Sequence, residues 1–485
     1  MQYYLAIDIG ASSGRHILGH VENGLIFLEE IYRFDTPQIH KNGHDCWDID
    51  QLWARILEGL KACKTAGKIP IAMGIDTWAV DFVLLDKQGG LLSDAVAYRD
   101  KRTKGMEANV NKVISPAPLY QRTGIQKQPF NTIYQLMALK AEHPEQITMA
   151  NRFLMIPEFF NFLLTGICRN EYTNATSTNL VNAYTKTWDT ELLQALGLPE
   201  QLFDQLSMPG TSLGPFTPAI EKEVGFRCEV ILPATHDTGS AFLAVPARDD
   251  HAVYLSSGTW SLLGVESPIP ITTEASRLQN FTNEGGYQYR FRYLKNIMGL
   301  WMIQSIRREL NGTFYVSGKS TPSAKAKSPL SFDALESAAR SANYFNSIVD
   351  VNDDTFLSPD SMIYAVKGYC TRTNQAVPDT VGELMHCVYH SLAVNYAKTI
   401  KALSTLTGKQ YTSINIIGGG SKDTYLNQLT AKATGVPVYA GPAEGTSIGN
   451  LVVQMIAKGE FTSLANARIA IRNSFDIKEI SYEQI

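Results

Sequence analysis

Apolar positions near the start of the chain fall in short bursts separated by small or polar residues. "YLAIDIG", "ASSGRHILGHV", "ENG" and "LIFLEEIYRF" predict a strand, a small-residue turn, a second strand, a tight hairpin turn at Asn23-Gly24 and a third strand. The period then changes. Ile49, Leu52, Ile56 and Leu60 recur at intervals of three and four, which predicts a helix with Asp48 as N-cap and Gly67 as stop. "IAMGIDTWAVDFVLLDKQGG" returns as strand. In the second half "AVYLSSGTWSLLGVES" again reads as strand, small-residue turn and strand. A long amphipathic helix follows in "VGELMHCVYHSLAVNYAKTIKALSTLTG", then the strand "SINIIGGG" and the helical "TYLNQLTAKATG". The recurrence of Ser12-Ser13-Gly14 as Ser256-Ser257-Gly258 suggests an internal duplication. Pro and charged residues interrupt two apolar runs at residues 245 to 252, which places a domain boundary there.

Composition narrows the classes of partner. A net charge of −4 with mixed signs offers no basic stripe for nucleic acid, and the richest apolar stretch, "RFLMIPEFFNFLLTGI", is broken by Pro157, Glu158 and Asn161, so no membrane span is expected. The N-terminus lacks the basic and apolar regions of a secretory signal. Six scattered cysteines without Cys-x-x-Cys suit the reducing cytoplasm. Histidines four apart at 16/20, 40/44 and 386/390 lack the glutamate or cysteines of a zinc motif. Small solutes are the expected partners, and the sequence sets no oligomeric state.

One short segment carries the most chemistry. "ATHDTGSA" contains the Asp-Thr-Gly of an aspartic protease at Asp237, yet such an enzyme needs two of these turns to share one proton, and Asp8-Ile9-Gly10 lacks the hydroxyl residue. Asp237 therefore has another task. Ala11-Ser12-Ser13-Gly14-Arg15 and Ser256-Ser257-Gly258-Thr259 are small-residue turns whose backbone N–H groups suit anionic oxygens, although no P-loop motif is present. Asp8, just before the first turn, is a candidate for holding hydrated Mg²⁺ beside a polyphosphate. "IIGGGSKDTYLNQL" supplies a third Gly-rich turn, suited to the face or ribose of a nucleotide.

"IDIGASSGR", "GIDTWAVDFVLLD", "YRDKRT", "ATHDTGSA", "LSSGTWSLLGVE", "FTNEGGYQYRFRYLKNIMGLWMIQS" and the late "GGG" together resemble the FGGY family of sugar kinases over nearly the whole chain. The resemblance implies an α/β fold of two ribonuclease-H-like (actin-like ATPase) domains facing a central cleft. Residues 1–244 would be the sugar-binding domain and 245–485 the nucleotide-binding domain. It implies a carbohydrate kinase using ATP and Mg²⁺ to phosphorylate a ketose at O1, with L-rhamnulose ahead of L-fuculose or L-xylulose. A non-kinase actin-like ATPase is the reading from another class. It further implies Asp237 as catalytic base, with His236 and Thr238 beside the sugar and Asn296 hydrogen-bonded to it. Ala11 to Arg15 and Thr259 would meet the phosphates, and Gln304 and Gly419 the nucleotide. Ala79 stands where the family is expected to place a Gly near the sugar, and Trp78 and Asp81 beside it could serve either the sugar or the core.

Overall fold

The computed structural model describes residues 1–316, 319–322, 329–357 and 359–482. They form two compact α/β units that are discontinuous in sequence. The first holds Met1–Pro246, Glu266–Leu294 and Gly445–Phe475; the second holds Ala247–Val265, Lys295–Glu444 and the segment from Asp476. Among the described residues no helix is long and apolar enough to cross a membrane.

The first unit is built on a six-stranded sheet. Strands Tyr3–Ile9, Ser13–Glu22 and Leu25–Asp35 form the expected antiparallel meander, closed by Asn23 and Gly24, both at positive φ. Tyr3–Ile9 then pairs in parallel with Pro70–Thr77, which neighbours Glu229–Ile231 and, beyond it, Ser212–Pro215. Both faces of the first strand are covered. Leu5, Ile7 and Ile9 pack with Leu52, Ile56 and Leu60 of the helix Ile49–Thr65, whose Asp48 caps Gln51 N as expected. Tyr4 and Ala6, on the other face, pack with Ile448, Leu451, Val452 and Met455 of the helix Gly445–Ala457. The strand expected through residue 85 breaks after Thr77 and resumes at Phe82. Between them Val80 is held at φ 68°, a conformation a buried β-branched residue adopts only under constraint.

The helix Gly445–Ala457 arrives from the far end of the sequence and is buried almost all round. It lies against the short helix Asp237–Leu243 so closely that a β-carbon on Gly449 would sit 1.8 Å from the Ser240 carbonyl oxygen. Only a residue without a side chain allows this approach. From the same helix Gln454 donates to the Leu5 carbonyl at 2.9 Å and Asn450 to the Gly74 carbonyl at 3.1 Å, tying it to both parallel strands.

The second unit repeats the hairpin-plus-parallel-strand plan: Ala252–Ser257 pairs antiparallel with Trp260–Ser267 and parallel with Ser413–Ile417, followed by Val438–Ala440 and Lys478–Ile480. The two Ser-Ser-Gly triplets, however, are not equivalent. Ser256 and Ser257 end a first strand, whereas Ser13 and Gly14 begin a second one, with Gly14 paired to Ile9. The turn hydrogen bonds give the true correspondence: Gly10 N to Ser13 O and Gly258 N to Trp260 O place Asp8-Ile9-Gly10 at Ser256-Ser257-Gly258. Gly14 has a packing reason of its own, since a β-carbon there would strike the Phe34 ring at 2.2 Å.

Two fully buried acids support the segment leading to residue 237. Thr235 Oγ1 lies 2.5 Å from Glu158 Oε1 and 3.1 Å from Glu171 Oε2, and Thr235 N donates to Glu171 Oε2 at 3.0 Å. Glu171 also receives Thr173 N at 2.8 Å and the Thr173 hydroxyl, so it is the better-supplied carboxylate. Burial pushes the Glu158 carboxyl up to about 8, reinforced by Glu171. Its Oε2 has no partner among the described residues, the expected position for the proton of a neutral acid.

Two measurements test this account. Gly449→Ala should lower stability by at least about 2 kcal/mol, the range for over-packing a rigid site, whereas Gly368→Ala, whose β-carbon meets nothing within 4 Å, should be neutral or stabilising in thermal unfolding. Because the folded-state pKa of Glu158 lies above its unfolded value, its contribution is absent at acid pH and turns against folding as pH rises toward about 8. Glu158→Gln keeps the neutral shape, so the variant should gain stability relative to the parent between about pH 5 and pH 8.5, with a slope of up to about 1.4 kcal/mol per pH unit. Parallel stability–pH curves would show that Glu158 is ionised throughout.

Candidate active site

Three carboxylates of the first unit come together at the ends of its parallel strands. Asp8 and Asp76 are partners in the parallel register, and Asp8 is also opposite Arg15 across the hairpin. Arg15 Nε and Nη2 donate to Asp8 Oδ2 at 3.1 and 2.9 Å, and the Ser447 hydroxyl reaches the same oxygen at 3.2 Å. Asp76 is fully buried; its Oδ2 accepts from Asn450 Nδ2 at 2.6 Å, while Oδ1 has no partner among the described residues. Asp237 opens the helix Asp237–Leu243 and is brought alongside by Thr77, whose N–H donates to the Thr235 carbonyl at 2.9 Å and which bridges to His236.

The three repel one another. Burial first, then Asp8 and Asp237, drive the Asp76 carboxyl well above the usual carboxylate range, offset in part by Asn450. Burial and then Asp8 raise Asp237 to about 7. Solvent reaches 31% of the Asp237 side chain, which moderates the burial part of that rise and leaves repulsion from Asp8 as the part that persists. So much negative charge around one arginine is a place for a cation. No three His, Cys, Asp or Glu among the described residues are arranged to hold a metal by themselves, so a dication here would keep water or substrate oxygens in its coordination sphere.

Asp237 itself is bonded on one side. Its Oδ1 accepts from Thr238 N at 2.6 Å and from the Thr238 hydroxyl at 3.1 Å, and His236 Nε2 lies 3.4 Å from it. Behind His236 stands Arg292, 1% exposed: Nη2 is 3.0 Å from His236 Nδ1, Nη1 is 3.0 Å from Glu284 Oε2, and Nε donates to the Gly285 carbonyl at 2.9 Å. Glu284 and Arg292 face each other in the hairpin formed by Thr282–Gly285 and the start of Phe291–Met298. Burial, with Arg292, holds the His236 ring well below its ordinary pKa, hence neutral.

The remaining expected residues divide between the units. Ala11 packs on the first unit's core, Ser12 is exposed at the turn and Ser13 is half-buried. Ala79 is half-exposed between buried Trp78 and Val80. Asp81 is not available to a sugar: it accepts from Trp47 Nε1 at 2.6 Å, Trp78 Nε1 at 2.9 Å, Tyr98 N at 3.1 Å and Gln135 Nε2 at 3.0 Å. Trp78 stacks on Trp47 with ring centroids 4.0 Å apart, so both residues belong to the core. In the second unit the carbonyls of Gly258 and Thr259 accept from Leu300 N and Trp301 N, joining the turn to the helix that carries Gln304. Gly418 and Gly420 pack on Ser257, while Gly419 between them is exposed with nothing within 4 Å of a β-carbon. Asn296 lies on the strand Phe291–Met298.

Sequence reasoning passed over Asp76, Ser447, Asn450, Glu284 and Arg292. The first had a signal, because "AIDIG" and "GIDTW" both end a strand on Ile-Asp. The others become visible only through pairings across the fold.

Two domain models match the chain, the N-terminal domain of the FGGY family of carbohydrate kinases over residues 3–244 and its C-terminal domain over residues 253–458. A rhamnulokinase of Halalkalibacterium halodurans is 50% identical over 478 residues, 99% of this chain and 98% of that protein. A rhamnulokinase of Bacillus subtilis is 42% identical over 99% of this chain and 96% of its own length. Among solved structures, a ligand-bound xylulose kinase from Lactobacillus acidophilus superimposes with a TM-score of 0.79 at 19% identity, covering 100% of this chain and 96% of that one. A glycerol kinase from Plasmodium falciparum with ADP does so with a TM-score of 0.75 at 14% identity, covering 98% of this chain and 94% of its own. The chain belongs to the FGGY family of carbohydrate kinases.

Proposed function

We propose that the protein transfers the γ-phosphoryl group of ATP to O1 of L-rhamnulose, giving L-rhamnulose 1-phosphate and ADP. The sugar follows from the near-full-length identity to rhamnulokinases. The chemistry rests on one observation: a solvent-reached Asp237 carboxylate at the start of a helix, bonded by Thr238 on one oxygen and raised by neighbouring Asp8, in place to accept a proton.

In this reading Asp237 takes the O1 proton as the oxygen attacks phosphorus, and His236, Thr238 and the Ala79 backbone surround the sugar together with Asn296. Phosphoryl transfer asks a protein mainly for positioning and charge neutralisation. Backbone groups of Ala11 to Gly14 and the Arg15 guanidinium bind phosphate oxygens, Thr259 meets the γ-phosphate, and Gln304 and Gly419 hold the nucleotide. Asp8, with Asp76 beside it, holds hydrated Mg²⁺, whose charge offsets both the carboxylates and the polyphosphate. With ATP as cosubstrate and all six cysteines unpaired, five of them buried, the protein works in the cytoplasm.

ADP release should depend on L-rhamnulose and be faster with it than with L-fuculose or L-xylulose; sugar-independent hydrolysis would instead favour an ATPase switch. Asp237→Asn should lower kcat by about 10²- to 10⁴-fold, the range for loss of a general base, with ATP affinity by calorimetry unchanged. Near-parental kcat in that variant would remove Asp237 from proton transfer. Asp8→Asn should lower turnover and raise the Mg²⁺ concentration giving half-maximal rate, so an unaltered Mg²⁺ titration in a folded variant would exclude Asp8 as the metal-holding group.

A further inference from the structure

The buried Glu284, Arg292 and His236 form a row within one unit that ends at the partly exposed Asp237, the proposed base. Proton positions along it follow from what each group can donate. A guanidinium has only donors, so His236 Nδ1, 3.0 Å from Arg292 Nη2, must present its lone pair; a hydrogen there would point at another hydrogen. Glu284 Oε2 also lies 3.4 Å from Nδ1, but its nearer partner is Arg292 Nη1 at 3.0 Å. A neutral ring with a bare Nδ1 carries its hydrogen on Nε2, the nitrogen facing Asp237 Oδ1.

We infer that Arg292 is a positioning residue that fixes His236 in its Nε2–H form, so that this hydrogen and the two Thr238 donors all lie on the Oδ1 side of Asp237 and Oδ2 is the oxygen that accepts the sugar proton. Thr238 N and the Thr238 hydroxyl donate to Oδ1 at 2.6 and 3.1 Å, and His236 Nε2 faces the same oxygen at 3.4 Å. These three groups crowd one side of the carboxylate and leave the lone pairs of Oδ2 directed elsewhere. In the transfer step the O1–H bond breaks, its proton passes to Oδ2, its electron pair forms the O1–P bond, and the γ-phosphorus–oxygen bond to the leaving ADP breaks. The opposite tautomer would turn a lone pair on Asp237 Oδ1, repel the carboxylate and let it rotate. The catalytic half of this inference rests on the proposed phosphotransfer; the tautomer does not.

The test has two arms on the full-length protein. With ¹⁵N-histidine labelling, and the His236 signals assigned by their loss in His236→Asn, NMR should show a pyridine-type Nδ1 and a pyrrole-type Nε2. A protonated Nδ1, in either the opposite tautomer or a cationic ring, would overturn the inference whatever the enzyme's substrate. Removing one partner of a buried ion pair strands the other charge, so the activity arm uses the double variant Arg292→Met/Glu284→Gln. It should lower kcat by about 10- to 100-fold, the scale of misplacing a reacting group by a fraction of an ångström to an ångström, with KM for ATP unchanged and the single tautomer lost. Arg292→Lys, which keeps a donor and a charge, should recover part of the rate. A folded double variant with parental kcat would overturn the positioning role, and failure of the double variant to fold leaves the parental tautomer as the deciding measurement. Absence of sugar phosphorylation by the parent, with the Nε2–H tautomer present, would instead count against the proposed reaction.

Discussion

The approach of Gly449 to the Ser240 backbone is the constraint on which the candidate site depends. It allows a helix encoded after residue 444 to lie under both the helix that begins with Asp237 and the ends of the strands that carry Asp8 and Asp76. Once there, Ser447 reaches Asp8 and Asn450 reaches Asp76. Neutral donors in those places matter because the carboxylates oppose one another, and a buried carboxylate without donors would simply keep its proton. Any side chain at 449 would separate the two helices and withdraw those donors from the anions they serve.

The cluster keeps its charges in a graded order. Asp8 has a guanidinium and a hydroxyl on one oxygen, Asp237 has two donors from its own helix start, and Asp76 has a single amide and an unpartnered oxygen. The carboxylate with the fewest donors is also fully buried, and burial together with Asp8 and Asp237 drives Asp76 well above the usual carboxylate range. Asp237 lies between the two in the donors it receives, and solvent reaches part of its side chain.

Local signals were legible and distant ones were not. Asn23-Gly24 closes its hairpin and Asp48 caps its helix, because each depends on a few adjacent residues. Asp237 could be singled out, since its flanking residues are also its hydrogen-bond partners. Arg292 and Glu284 form a pair only when two strands adopt one register, and their meeting with His236 spans 56 residues. The break at Trp78 to Asp81 was missed for the same reason. Four donors hold Asp81 from Trp47, Trp78, Tyr98 and Gln135, and that distant anchoring keeps Val80 at positive φ where an apolar run alone reads as continuous strand.

The matching of Ser-Ser-Gly triplets found the right repeat for the wrong residues, and the shift has a physical meaning. Aligned by turn hydrogen bonds, Asp8 of the first unit corresponds to Ser256 of the second. The same strand end thus carries a carboxylate in one unit and a hydroxyl in the other. Around the first lie Asp76, Asp237 and Arg15; around the second lie Ser257, Gly418 against its backbone and Gly420 against its side chain. A shared hairpin therefore carries two environments: in one unit three carboxylates and an arginine meet, and in the other small residues pack on Ser257 and leave Gly419 open. An aspartate at position 256 would face Leu262, which the register places where Arg15 stands opposite Asp8, and so would lack the guanidinium that offsets the first unit's carboxylate.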